Sequence, residues 1–201
     1  MPPTHVWRTL LAQDVAKDRL LEAQRMALTF ATGIQDAATF TTYHVFPTKQ
    51  TGNTFFLALY AFNPGLLGPR AAQNILVSIV SFFLGGAFHS HFAQRRGQRC
   101  RGWLLATNLF QTLLVLGAAV FCYRSVPETY GGGSAALGTI ALLSFASSGQ
   151  IAMSTGVGLP ELNTTMITGA LVQLSNDPRL FRFHNPARTR RLLLYLSFFT
   201  G

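Results

Sequence analysis

Residues 26–46 read Met-Ala-Leu-Thr-Phe-Ala-Thr-Gly-Ile-Gln-Asp-Ala-Ala-Thr-Phe-Thr-Thr-Tyr-His-Val-Phe. This is one uninterrupted run of helix-compatible, mostly apolar or small residues, and about 20 such residues are enough to cross a bilayer. It holds no proline and a single acid, Asp36, near its middle. Four further stretches of the same character follow at residues 51–67, 74–92, 103–123 and 134–159. Shorter ones lie at 164–174 and 192–201. The fold class expected from this pattern is all-α, a polytopic transmembrane helical bundle.

Composition agrees. The 201 residues are 49% hydrophobic and only 11% charged, against about 25% charged in a soluble domain. So few charges could hardly coat a water-facing surface. The net charge is +9, but the bases sit in the loops between apolar runs. Loops retained in the cytosol carry them there, so a nucleic-acid partner is not expected. The partner implied is the lipid bilayer. Residues 1–25 contain Asp14, Asp18 and Glu22 and lack a signal-type apolar core. They read as a cytosolic N-terminal arm, either an amphipathic helix on the membrane surface or a plain solvated segment. The transmembrane domain is placed at residues 26–201. Cys100 and Cys122 supply no disulfide framework.

The two halves resemble each other. Gly33-Ile34-Gln35 pairs with Gly149-Gln150-Ile151, Thr51-Gly52 with Thr168-Gly169, and Ser81-Phe82-Phe83-Leu84-Gly85 with Ser197-Phe198-Phe199-Thr200-Gly201. The first repeat would cover about 26–123 and the second about 134–201. Loop charge bears on its sense. If residues 51–67 and 164–174 cross fully, 11 Lys and Arg lie inside and 5 outside; if both dip in and return, the numbers are 13 and 3. The second arrangement suits the positive-inside rule and makes the repeat inverted. Ordinary short, tilted spans are the competing arrangement.

Asp36 is the sharpest chemical signal. A carboxylate at mid-bilayer costs about 2.5–3.5 kcal/mol on insertion scales. It therefore needs a donor, a proton or water, and such residues mark ion or substrate pathways or hydrogen-bond neighbouring helices. Gln35 stands beside it. The run Thr51-Gly52-Asn53-Thr54 offers a cap for a helix starting at Thr54 and a place for an anion or polar group. Gln150 and Asn163 are the polar counterparts in the second half. His44 belongs at the interface, and His89 and His91 at the cytosolic end of their segment. Gly85, Gly86, Gly117 and Gly138 read as helix-packing positions. No catalytic signature occurs, and neither enzymatic activity, a cofactor nor a metal is expected.

At these residues the chain resembles the YoaK-like (DUF1275) family of multi-pass membrane proteins. Gly33-Ile34-Gln35-Asp36-Ala37 is similar to the family's first-helix motif, and Lys49 to Thr54 to its Thr-Gly-Asn signature. Residues 190–201 are similar to its arginine-led late helix, in the style of fungal members. The resemblance implies a membrane location and about six spans, and no established activity. Family members continue past this point, so the resemblance implies a chain cut short at its C-terminus. The function expected is a small-molecule or ion transporter that uses the intramembrane acid, with a substrate as its partner. A non-transporting membrane scaffold or accessory protein is the alternative.

Overall fold

A helix ends where its sequence stops supporting it, and the breaks here are legible. Pro47 follows the first run, Asn63-Pro64-Gly65 the second, and Gly156 closes the fifth helix. The computed structural model describes residues 13, 19–68, 70–96, 99–124, 133–156 and 185–201. Among them are six α-helices: α1 (Arg19–Tyr43), α2 (Gln50–Phe62), α3 (Ala71–Arg96), α4 (Arg101–Arg124), α5 (Ser134–Gly156) and α6 (Pro186–Thr200). α6 begins with proline at its first position and an Asn185 cap, whose side chain accepts from the Arg188 amide at 3.1 Å. Most of the arm at 1–25 lies outside the described residues, and α1 runs without a break through residue 25.

Among the described residues, three helices are long and apolar enough to cross a membrane: Ala71–Arg95, Arg101–Tyr123 and Ser134–Thr155. Their surfaces confirm what surrounds them. α4 exposes Leu105, Leu109, Leu113, Leu116 and Val120 along one stripe, while its buried positions include Thr107 and Gln111. The α5 interior is small and polar, with Ser144, Ser147 and Ser148. Apolar outside and polar inside is the arrangement for lipid, where helix packing draws on close approach and interhelical hydrogen bonds. α1 is long enough but less apolar, because Gln35, Asp36 and several threonines dilute it.

Helix directions follow from which residues meet. α3 and α5 are parallel: Ser78 bonds Ser144 at 2.8 Å, and further along His89 lies against Gly149. α4 is antiparallel to α5, with Gln111 beside Met153 and Gly117 beside Leu142. α1 is antiparallel to α5. Gln35 donates to Ser147 at 3.2 Å, and the end of α1 at Tyr43 joins an apolar cluster with Ala136 and Ile140. The same end of α1 meets the start of α3, where the Asn74 amide donates to the Tyr43 carbonyl at 3.2 Å. α1 therefore ends, and α3 begins, at one end of the bundle. α2 is 13 residues long, about 20 Å, too short for a core of about 30 Å. Its first turn lies beside Ser78, about two turns inside α3, through Gln50 and Asn53.

Two glycine assignments divide here. A methyl group at Gly85 would lie 2.6 Å from the Phe145 carbonyl oxygen, so glycine is needed for the α3–α5 approach. At Gly138, among the described residues, nothing lies within 4 Å of its missing side chain, so none of the described helices packs against it there. His89, in the C-terminal part of α3, points into the bundle. It is 1% exposed, its Nδ1 hydrogen-bonds the Gly85 carbonyl at 2.7 Å, and its ring sits among Phe88, Phe110 and Phe145.

Candidate functional site: a buried acid under a folded-back connector

The connector between α1 and α2 is six residues, 44–49, and its path decides what reaches Asp36. His44 takes a positive φ of 56° and turns the chain out of α1. Histidine tolerates this conformation better than most bulky side chains. The chain then folds back along the helix it has just left. Phe46 stacks on Phe40 with centroids 4.6 Å apart, and Pro47 is buried.

Asn53 holds this path in place. Its Oδ1 accepts from the Phe46 amide at 2.9 Å, and its Nδ2 donates to the Phe46 carbonyl at 2.6 Å. Nδ2 also reaches Gln50 Oε1 at 2.9 Å and Ser78 Oγ at 3.1 Å. Asn53 is fully buried, and a connector at that depth has no water for its backbone groups, so a side chain must satisfy them. Gly52 leaves room for the Phe46 ring, which an added methyl would meet at 3.2 Å.

These bonds overturn one expectation. The helix does not start at Thr54 under a Thr or Asn cap. It starts at Gln50, with Lys49 at the cap position and no side-chain cap bond, because Asn53 is turned toward Phe46 instead. Thr51 and Thr54 are exposed, and the Thr54 hydroxyl donates back to the Gln50 carbonyl at 2.8 Å.

The folded-back connector places Thr48 and Lys49 on Asp36. Asp36 is 2% exposed. Its Oδ2 accepts from Thr48 Oγ1 at 2.6 Å and forms an ion pair with Lys49 Nζ. Its Oδ1 is buried with no hydrogen-bond partner among the described residues. The Lys49 ammonium also lies over the Phe198 ring of α6, 4.1 Å from the centroid, a favourable cation–π placement. Lys49 keeps 27% of its side chain accessible.

The other named residues fall elsewhere. Gln35 is on a different face of α1 from the Asp36 carboxylate. It bonds Ser147 and lines a cavity of about 250 Å³ between α1, α4 and α5, together with Thr39, Tyr43, Cys122 and Thr139. Gln150 is on α5, half-buried, with its carbonyl accepting from Ser154 at 2.9 Å. Asn163 lies outside the described residues. Sequence reading missed Thr48, Lys49 and Phe198. Lys49 counted there as a loop charge, and only its place two residues after Pro47 hinted at a return toward the membrane.

With this geometry in hand, comparison with known proteins is informative at one level. Residues 24–201 match the family described as "Protein of unknown function (DUF1275)". The chain belongs to the DUF1275 family. No curated protein and no solved structure matches it. The DUF1275 match takes in Asp36, the connector, Asn53 and α6 together. Family and helices agree that this DUF1275 protein is a multi-pass membrane protein.

Proposed function

We propose that the protein is a membrane transporter for a small molecule or ion, and that the Asp36 carboxylate lies on its pathway. In this reading α1 is a fourth span, the N-terminus is cytosolic, and α2 is re-entrant from the far side. One observation carries the reading: a buried carboxylate has both its donors on one oxygen and, among the described residues, leaves the other unpartnered. A purely structural pair is best served when every lone pair is satisfied, since an unmade bond at a buried polar atom costs about 1–3 kcal/mol. The free oxygen is a place for a proton, a cation or a donor group of a substrate. Irregular backbone at membrane depth and short broken helices are where transporters build such sites.

The scaffold reading draws on the same ion pair, because a neutral, enclosed pair can serve as structure alone. Flux separates the two. Wild-type protein and Asp36→Asn, matched for monodispersity in detergent, are reconstituted in liposomes. They are assayed for proton movement with an entrapped pH dye and for uptake of a panel of radiolabelled ions and small solutes. Asp36→Asn is expected to lower whichever flux the wild type displays by tenfold or more. Equal flux in the two proteins would remove Asp36 from the pathway.

A further inference from the structure

We infer that the chain consists of two inverted copies of one unit, and that the Asp36–Lys49 pair is a latch built into the first copy only. The inference does not depend on the transport reading. It starts from paired contacts. Gly85 of α3, in the first repeat, rests on Phe145 of α5, in the second, where a methyl group would meet the carbonyl oxygen at 2.6 Å and Cα at 2.9 Å. Gly201, the C-cap of α6 in the second repeat, rests on Phe30 of α1 in the first, where a methyl group would overlap the carbonyl oxygen and meet Cα at 3.1 Å. The same glycine-on-phenylalanine contact joins both helix pairs.

Those contacts set the register. α1 and α5 align with Phe30 on Phe145, one residue away from the pairing suggested by Gly33 and Gly149. Residues 28–35, Leu-Thr-Phe-Ala-Thr-Gly-Ile-Gln, then correspond to residues 143–150, Leu-Ser-Phe-Ala-Ser-Ser-Gly-Gln. Local bonds repeat in that register. The Thr32 hydroxyl donates to the Leu28 carbonyl at 2.7 Å, and that of Ser147 to the Leu143 carbonyl at 2.7 Å. The Thr39 hydroxyl donates to the Gln35 carbonyl at 2.8 Å, and that of Ser154 to the Gln150 carbonyl at 2.9 Å. Each such bond is common for Ser and Thr in helices; their matching positions are what count. α1 and α5 run antiparallel, so the copies are inverted, and the Gln35–Ser147 bond lies at their crossing.

The same register locates what differs. Asp36 corresponds to Ile151. Residues 48–52, Thr-Lys-Gln-Thr-Gly, correspond by sequence to residues 165–169, Thr-Met-Ile-Thr-Gly, so that Lys49 corresponds to Met166. Residue 166 lies outside the described residues, and its correspondence is one of sequence alone. Acid and base are replaced together by apolar residues, as expected of a pair acting as one unit, since removing one partner strands the other. Phe82 of α3 takes the place of Phe198, and the seam it lines with Gly86, Ser148 and Ile151 is an uncharged groove of about 310 Å³.

The test transplants the latch. Ile151→Asp alone is expected to lower the thermal midpoint of the full chain in detergent by about 5 °C or more, or to cut its yield of folded protein severalfold. Adding Met166→Lys is expected to recover most of that loss, whereas Met166→Gln is expected to recover little. Rescue by lysine overturns any reading in which the halves are unrelated. No rescue, equal rescue by glutamine, or an Ile151→Asp protein as stable as wild type would each overturn the inference.

Discussion

Lys49→Met is expected to destabilise the protein by about 3 kcal/mol, because it leaves the Asp36 carboxylate buried without a counter-charge. In a chain of this size that is a fall of about 6–12 °C in the thermal midpoint. Asp36→Asn is expected to cost less, about 1–2 kcal/mol. The difference is positional. Asp36 sits on the inner part of a helix, 3% exposed at its side chain, whereas Lys49 is 27% exposed on a connector. An orphaned lysine can swing its long stem toward the interface; an orphaned aspartate cannot leave. Differential scanning fluorimetry of the two purified variants checks the order. A Lys49→Met protein as stable as wild type would mean that the ion pair contributes nothing to holding the connector down.

The second large effect is expected at Gly85. Gly85→Ala should cost about 2–3 kcal/mol, since its methyl group would press on the Phe145 carbonyl and Cα, both main-chain atoms that can yield only if α3 and α5 separate. That seam joins the two candidate spans that run parallel, and it holds the Ser78–Ser144 bond as well. Gly138→Ala is the control. With nothing within 4 Å it should be neutral or gain up to about 1 kcal/mol of helix propensity. Thermal midpoints of the two variants measured side by side would reveal the contrast, and equal effects would argue against tight packing at Gly85.

What could be read from the sequence, and what could not, follows from the range of the interactions. Helix class and the three apolar spans are properties of runs of 20 or so residues, and the runs at 74–92, 103–123 and 134–159 are plain in the sequence. The stretch after Gln50 was legible as short, and its shortness alone left both a re-entrant and a tilted spanning path open. Asp36 stood out because one acid in an apolar run has few neighbours to explain it. Its partners did not stand out. Thr48 and Lys49 reach it only because His44 turns the chain and Asn53 clamps Phe46, and no local pattern announces a bond between residues seven apart across a turn. Asn53 looked like a helix cap, and with the same amide it does a different task on the main chain of Phe46. Gly138 looked like Gly85 in sequence; which of them faces a neighbouring helix is decided by rotation about the axis in the assembled bundle. His89 was placed at one end of its segment, and that position along the helix did not reveal that it would be buried among three phenylalanine rings.

The central claim is that α2 dips into the bundle and returns, bringing Lys49 down onto Asp36. His44 and Arg70 flank that excursion, and both are exposed. Single cysteines at these two positions, in a background where Cys100 and Cys122 are serine, can be labelled in sealed vesicles with a membrane-impermeant maleimide. The re-entrant path predicts that His44→Cys and Arg70→Cys react from the same side. Reaction from opposite sides would mean that the segment crosses, and would contradict the account at its root.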